Sequence, residues 1–515
     1  MFGFLKRSTA PAPVTIIERK SSVPKTARRT YTAAGDPPRY ADFRSVTTSA
    51  DYDLMHGLSK LRNRARFLAK NSSTMKRYLQ LLKDNVVGPE GFHLRVRVRK
   101  GNGDFDEVLN KRVQDAFWRW SMVPTTCGKL DHVELSELAI CCLRRDGEFF
   151  AEIVRNPRYQ DGIAINPLDA DLIDETLNTV YPPTGNQIKM GVEVDQDDRP
   201  VAYHVLTQHP GDPGWYWSGR STQRKYRRLS ADRIIHVVTN RDRPGQTRGE
   251  PPAGSVAFEI KMLDGYREAE VTGRRIAAST MGFFVKQLNS PASKIEALAD
   301  DVVQHDTFDE FQVELEPGTF KELPEGYDFK QFDAKGSSVD YKQFEQQIKR
   351  SVAMGLGISA FSLCMETDGV SYSTARTVVI EDRDFYRGLQ RLLREKFWHR
   401  IFKEWVMAKS LMPDSPIPPT RIATIIDNFL FRGRGWAWVD PAKDVTANAE
   451  AIATGQTSPS RVAAERGIDF DDLLDELEAD FKQINQRKLP ITFGKLTQPA
   501  PQDKPDADAE NGDGV

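Results

Sequence analysis

Between Ala253 and Lys286 the sequence contains no proline, and Ile260, Leu263, Arg267, Val271 and Ile276 mark faces along it at helical steps. Pro251 and Pro252 stand just before it and can open a helix, because first-turn N–H groups need no acceptor. A helix over 253–286 would be a rod of roughly 50 Å at about 1.5 Å per residue. Five basic and four acidic residues leave it too sparsely apolar to be buried all round. The rod therefore needs water or other polypeptide along its flanks. It is reached through "RDRPGQTRGEPP", residues 241–252, which follows the strand-like "RIIHVV". Three arginines and two glycines between a strand and a helix raise the possibility of a phosphate cradle. The glycines lack P-loop or dinucleotide spacing, and the two prolines remove N–H donors at the helix start.

The surrounding text is mixed. Residues 1–45 are rich in Pro, Ala, Thr and basic residues without sustained periodicity, so a flexible arm is expected. "LSKLRNRARFLAKN" and "SSTMKRYLQLLKDN" read as a helix pair broken and capped at Asn71, Ser72 and Ser73. A half-buried strand follows, with Leu94, Val96 and Val98 on one face and Arg95, Arg97 and Arg99 on the other. A helix over 104–121 leads into α+β text with short strands near 163–165 and 172–174. "GVEVDQDDRPVAYHVL" is a hairpin around a polar turn. Residues 287–337 are broken by Pro291, Pro317 and Pro324, and a second helix starts near Ser338 and ends at "GLGIS". A polar loop and a long helix, 373–411, come next. Three short helices follow "RGRGWAWVDPAKD", with Ser458 a cap and Pro459 the first residue of the second. The last twenty residues have no core and are expected to be disordered.

The net charge of −1 argues against a protein that coats DNA, but local charge is strongly segregated. Residues 54–83 carry eight basic and no acidic residues, and residues 296–316 carry eight acidic and no basic ones. Opposed patches suit a protein with several partners. Cys127, Cys141, Cys142 and Cys364 form no CxxC, which fits a reducing, intracellular setting. "MFGFLKRSTAPAP" is too short in apolar residues for a signal peptide, and no apolar run approaches membrane-spanning length, so a soluble chain is expected. Both Gly-Lys pairs are followed by Leu, which excludes a P-loop, and HExxH and GxSxG are absent. The eight histidines lack metal-ligand spacing. "DQDD" at 195–198 reads as a solvated turn, His236 as a satisfied structural histidine, and "RRDGE" at 144–148 as a turn rather than an acid/base pair. No catalytic residue, cofactor or metal is expected. The helix-turn-helix rhythm near 456–478 ends in the acidic "DDLLDELEADF", which is wrong for a major groove.

Five stretches, taken in order, resemble the portal proteins of tailed bacteriophages, of the lambda-like family. They are "RARFLAKNSSTMKRYLQLLKDNVVGPEG", "GVEVDQDDRPVAYHV", "IIHVVTNRDRPGQTRGEPP", "VAMGLGISAFSLCMETDGVSYSTAR" and "VDPAKDVTANAEAIATGQTSPSRVAAERGID", together spanning about residues 50–475. Thr374 stands where the family more often has Ser, and "FSLCMETDG" differs in detail from the family's loop. The resemblance implies an α+β portal fold that closes into a ring, typically a dodecamer. It implies a wing over 46–250, a first stem helix over 251–286, a clip over 287–337 and a second stem helix over 338–358. A tunnel loop over 359–372 would include Asp368, Ser371, Tyr372, Ser373 and Arg376 or adjoin them. Residues 373–440 would return to the wing, 441–495 would be a helical crown, and 496–515 an acidic tail.

The implied role is a conduit at one capsid vertex for DNA packaging and ejection, and a platform for other machinery. Implied partners are further copies of the chain, double-stranded DNA, the large terminase subunit, head-completion or connector proteins, and major capsid and scaffold proteins, with no membrane. The implied location is the virion, after assembly in the host cytoplasm. A DNA-processing enzyme and a monomeric adaptor or scaffold are the alternatives.

Site expectations follow from this reading. Gly245 and Gly249 would permit a sharp reversal, and Arg241, Arg243 and Arg248 would pin wing to stem or to the next subunit, with DNA contact second. Arg62, Arg64, Arg66, Lys76 and Arg77 would meet a neighbour's acidic surface or packaged DNA. Asp300, Asp301, Asp309 and Glu310 would face the channel or the packaging motor, or be only an exposed face. Arg376, at a helix N-terminus where a cation is unfavourable, would pair across the subunit boundary or internally.

Overall fold

The computed structural model describes residues 47–212, 224–239, 241–278, 282–286, 327–331, 338–365, 369–436, 441–468 and 470–487. The chain divides into two compact units, Met1–Ser49 and Ala50–Val515, and the elements below belong to the second. The expectations for residues 1–45, the acidic segment and the carboxy-terminal tail lie outside the described residues.

The short helix α1 (Ala50–Met55) precedes α2 (Leu58–Asn71) and α3 (Ser73–Leu82). The break between the last two falls at Ser72, which is extended, as the sequence suggests. Ser72 does not cap α3, however: its hydroxyl is buried and makes no hydrogen bond. What fixes α3 is packing, with Met75, Tyr78 and Leu82 fully buried. The helix then widens into a π turn, Lys83–Val87, and stops at Gly88, whose φ of 72° favours glycine. Strand β1 (His93–Val96) buries Val96 as its alternation requires, and pairs antiparallel with β12 (Phe429–Arg432) from the far end of the chain.

Helix α4 (Glu107–Ser121) is capped by Asp106, and α5 (His132–Arg145) by a reciprocal capping box between Asp131 and Glu134. Two antiparallel sheets follow. Strands β2 (Glu148–Arg155), β3 (Ile163–Leu168) and β9 (Ile234–Val238) run in the order β3-β2-β9. Strands β4 (Thr179–Val180), β5 (Gln187–Lys189), β6 (Val192–Val194), β7 (Pro200–Leu206) and β8 (Tyr226–Ser230) form a meander in sequence order. β6 and β7 are the expected hairpin, and Asp195 holds its turn by accepting from the backbone N–H groups of Asp197 and Arg199. The strand expected near 172–174 is instead a 3-10 turn, Ala170–Leu172, with one bridge from Ile173 to Val205.

The long rod is shorter than its sequence suggests. A 3-10 turn, Pro252–Gly254, leads into α6 (Ala257–Ala278), and residues 282–286 form β10 (Gly282–Lys286), antiparallel to β11 (Tyr327–Gln331). β-favouring Phe283, Phe284 and Val285 there prefer a partner strand to a continued helix. α7 (Ser338–Leu356) returns against α6, joined by a Tyr266–Tyr341 ring stack and an Arg267–Glu345 ion pair of 2.7 Å. α8 (Ala360–Cys364) precedes α9 (Tyr372–Leu393), which passes through a second π turn, Arg394–Trp398, into α10 (His399–Ser410). The single helix expected over 373–411 is thus two α-helices joined by a π turn. α11 (Ile422–Asp427) leads to β12, and α12 (Pro441–Ala453), α13 (Pro459–Glu465) and α14 (Phe470–Arg487) complete the described chain. Ser458 caps α13 and Pro459 opens it, as expected.

The main core is aromatic. Phe117 meets Trp405 at 5.2 Å and Phe402 at 5.4 Å, with Trp120, Trp398 and Phe431 around them. A second core joins the two sheets through Phe150, Val192, Tyr203, Val205 and Ile234. Among the described residues no helix is long and apolar enough to cross a membrane.

Candidate functional site

The loop 241–252 is anchored from below. Gly147, with φ of 90°, turns the chain from α5 into β2 and leaves Glu148 fully buried at the strand's start. Arg248, also fully buried, donates to Glu148 from Nε at 3.0 Å and from Nη2 at 2.7 Å. Its remaining N–H groups reach the carbonyls of Ala170 (3.2 Å), Ile173 (3.0 Å) and Met190 (2.8 Å). One guanidinium thus ties the loop to β2, to the 3-10 turn after β3 and to the β5–β6 connection. Burial works to raise the Glu148 carboxyl, but Arg248 beside it and the hydrogen bonds from His236 and Arg248 win, holding it well below the usual carboxylate range. His236 meets Glu148 at 3.1 Å and the Tyr203 hydroxyl at 3.3 Å, the satisfied structural histidine the sequence suggests. Burial pushes its pKa down.

Arg248 thus reaches neither solvent nor a neighbouring copy, and the partners it holds all belong to its own chain. Arg241 and Arg243 are exposed, and Arg243 pairs with Asp53 at 2.6 Å. Gly245 has φ of 81° and makes the reversal. Gly249 is needed for a different reason. A Cβ there would lie 2.2 Å from the Gly147 carbonyl oxygen, so loop and strand touch backbone to backbone. Gly249→Ala is therefore expected to cost more than Gly245→Ala. The first forces the loop off β2, an overpacking cost of about 1–3 kcal/mol or more. The second meets open space and costs roughly 1–2 kcal/mol from its left-handed backbone alone. Urea midpoints of the two variants decide this, and the opposite order rejects the close-approach role.

The basic helix pair divides in the same way. Arg62 is fully buried, 2.5 Å from Asp171, 3.1 Å from Glu175 and 3.8 Å from Glu148. Arg66 binds Asp146 (2.9 Å), Asp169 (2.8 Å) and Asp171 (2.5 Å). Arg62 is thereby corrected from a surface to an interior role, and the half-buried Arg66 likewise finds its acidic partners within its own chain. Arg64 and Lys76 are exposed, and Arg77 is half-buried with its Nε making no hydrogen bond. Arg64 stacks over Phe258 at 5.0 Å, and Lys261 lies over Phe67 at 5.6 Å, so cation–aromatic pairs join α2 to α6. Asp169, Asp171 and His209 come close enough to hold a cation. The Arg66 guanidinium already donates to both carboxylates, so the cluster reads as an ion-pair network.

The loop between α8 and α9 hangs on two anchors. Asp382, buried on α9, accepts from the Ser359 backbone N–H (2.9 Å), the Ser359 hydroxyl (2.6 Å) and the Ser362 hydroxyl. On the other side Ser371 caps α9 by accepting from the Thr374 N–H at 3.2 Å. Tyr372 and Ser373 are exposed in the first turn, and Asp368 lies outside the described residues, as do Asp300, Asp301, Asp309 and Glu310. Arg376 pairs with Asp444 of α12 at 2.9 Å, the internal of its two expected partners. Sequence reading missed Glu148, Asp382 and Gln390. Gln390 donates to the carbonyls of Val86 (3.2 Å) and Arg434 (3.0 Å), satisfying a carbonyl of the first π turn while holding the segment before α12.

The outer surfaces of α6 and α7 differ from each other. On α6, Phe258, Met262, Gly265, Ala269 and Thr272 recur at steps of four and three and form an exposed stripe without charge. Phe258 is 67% exposed and Met262 72%. Beside it Lys261, Glu268 and Arg275, one heptad apart, make a mixed-charge face. On α7 the exposed residues are Lys342, Gln343, Phe344, Gln347, Arg350, Met354 and Gly355, of which Gln343, Gln347, Arg350 and Met354 share one face.

Residues 36–390 match the family described as phage portal protein, lambda family. The chain is 30% identical over 457 residues to a probable portal protein of Halomonas phage phiHAP-1, covering 88% of this chain and 86% of that one. It is 22% identical over 472 residues to portal protein B of Escherichia phage lambda, covering 82% and 84% respectively. Among solved structures, a chain from the neck of an empty GTA particle, computed with C6 symmetry, aligns with a TM-score of 0.43 and 13% identity, over 79% of this chain and 94% of that one.

Proposed function

The chain belongs to the lambda family of phage portal proteins, and from that premise we propose that its copies close into a ring, a dodecamer, whose channel passes double-stranded DNA during packaging and ejection. α1–β9 form the wing, α6 and α7 the stem, 287–337 the clip, 359–372 the tunnel loop and α12–α14 the crown. The portal family is structural, and the reading assigns this chain no chemistry. The ring sits at a capsid vertex of the virion after assembly in the host cytoplasm, meeting capsid and scaffold proteins there and head-completion proteins later. The acidic clip, with Asp300, Asp301, Asp309 and Glu310, is the surface offered to the large terminase subunit.

One observation carries the reading: the α6–α7 pair buries its inner faces and leaves two unlike outer faces, one of them uncharged and holding large exposed apolar side chains. Large exposed apolar residues mark an interface, and unlike faces suit head-to-tail contact that closes into a ring. The mixed-charge face with Lys261, Glu268 and Arg275 then lines the channel, where balanced charge lets a duplex slide without the accumulating affinity of many cation–phosphate contacts. Negative-stain microscopy of the purified chain tests this. Rings with a central hole are expected, and monodisperse monomers at high concentration reject it.

A further inference from the structure

Helix α9 carries a line of arginines. Arg376, Arg383, Arg387 and Arg391, with Arg394 opening the π turn, fall within one arc of about 80° at 3.6 residues per turn. At about 1.5 Å per residue the stripe is roughly 27 Å long. No acid of the helix lies within that arc. Glu381 and the buried Asp382 lie on other faces, and Asp384 and Glu395 flank the stripe. The pairs it makes are open to water. Arg387 meets Asp384 at 2.7 Å with both side chains more than half exposed, and Arg391 and Arg394 reach Glu395 only at 3.4 and 3.8 Å. Arg376 pairs with Asp444. Exposed pairs of this kind contribute little and give way to a stronger anion.

The segment "RGRGW", residues 432–436, adds a platform beside the stripe. The guanidinium carbons of Arg383 and Arg387 lie 5.8 and 5.6 Å from the centre of the Trp436 ring. That ring is held in place from below, donating through Nε1 to Asn85 at 3.1 Å and stacking on Tyr386 at 6.5 Å. A guanidinium stacked by its face keeps its N–H edges for an acceptor. The Arg434 guanidinium makes no hydrogen bond or ion pair among the described residues. Burial and the charges of Arg387 and Arg434 hold Arg383 below the usual arginine range, although Asp444 opposes them. Cations crowd here beyond what the chain's own carboxylates offset.

We propose that this stripe, with Arg434 and Trp436 beside it, binds the phosphate backbone of duplex DNA. Six arginines stand against Asp384, Glu395 and Asp444. One carboxylate from another protein would answer one cation, whereas a duplex brings a charge every 1.7 Å or so of its axis and matches the whole length of the stripe. The guanidinium fork also fits two phosphate oxygens at once. Contacts of this type carry no sequence information. They accumulate affinity, so the site suits DNA at rest, and it is separate from the mixed-charge face of α6 where a duplex slides. The inference goes beyond the conduit reading and needs neither the ring nor its channel.

Fluorescence anisotropy of a labelled duplex with the full chain tests it. Arg387→Gln with Arg391→Gln removes two exposed arginines and is expected to leave the urea midpoint unchanged. Binding should weaken about ten-fold or more, equally for two unrelated sequences, and the slope of log K against log salt should fall by about two. Lys111→Gln with Arg112→Gln, both exposed on α4, removes the same charge and should change neither. An equal loss in that control reduces the effect to net charge and overturns the inference, as does an unmodified chain that binds no duplex. Rings lost from the α9 variant while its duplex affinity holds would assign the stripe to a neighbour's carboxylates, and overturn it too. Arginine-dependent binding by a chain that forms no rings would remove the ring reading and leave the site standing.

Discussion

Arg248→Met is expected to destabilise the fold by about 3–5 kcal/mol, because it leaves a buried carboxylate without its main partner. Both side chains are inaccessible, and three carbonyls, of Ala170, Ile173 and Met190, lose their donor together with Glu148. Methionine fills much of the aliphatic volume, so the loss reports charge and hydrogen bonding more than a cavity. Adding Glu148→Gln should recover part of the loss, since the unpaired charge then disappears. A urea midpoint for Arg248→Met within the about 0.5 kcal/mol of an ordinary surface substitution would show that the pair is not the anchor.

The same pair predicts a pH signature. The Glu148 carboxyl is held below its usual range, so its stabilisation is complete above the ordinary value of about 4.3 and drains away as pH falls beneath it. Burial depresses His236, so it is neutral when folded and takes a proton more readily once unfolded. Its contribution is complete above about 6.5 and is lost as pH falls through its lowered folded value. Both groups therefore make the unmodified chain less stable in acid. The deficit of Arg248→Met should shrink below about pH 4.3, because a protonated Glu148 needs no cation. A deficit that stays constant between about pH 5 and about pH 3, across the ordinary carboxylate range, contradicts this account.

Local rules made much of this fold readable. The 191–206 hairpin, the cap and proline at Ser458–Pro459, and the buried alternation at Val96 and Val98 each depend on neighbours a few residues away. What escaped depends on distant ones. Arg62 and Arg66 read as a face for a neighbour's acidic surface or for DNA because their window contains no acid, yet Asp171 and Glu175 arrive from more than 100 residues along the chain. Arg248 has the same history, with Glu148 100 residues before it. Gly249 was legible as a loop glycine, but not as a close approach, because its neighbour Gly147 belongs to another element. The overlong rod had a similar cause, since β10 is fixed by pairing with β11 across a long excursion. The π turns at Lys83–Val87 and Arg394–Trp398 change the helix pitch without altering the apolar pattern enough to be seen.

Phe258→Asp with Met262→Asp should abolish ring formation while leaving the subunit folded. Both side chains are mostly exposed in the single chain, so the fold has little to lose. At an interface the change removes two large apolar contacts, about 1.5–3 kcal/mol each when fully buried. It also places two carboxylates on the contact face, of which that at 258 has Arg64 of its own chain beside it and that at 262 faces only Arg350 on α7's outer face. Each copy in a ring uses this face once, so the penalty recurs at every contact, and a loss of on the order of a hundred-fold or more per contact disassembles the ring. Glu268→Gln on the adjoining mixed-charge face is the control, because a channel-lining residue does not hold neighbours together. Sedimentation should show a folded monomer for the double variant and intact rings for the control. Rings in both would move the interface off α6, and monomers in both would place the charged face in the contact and water on the uncharged one.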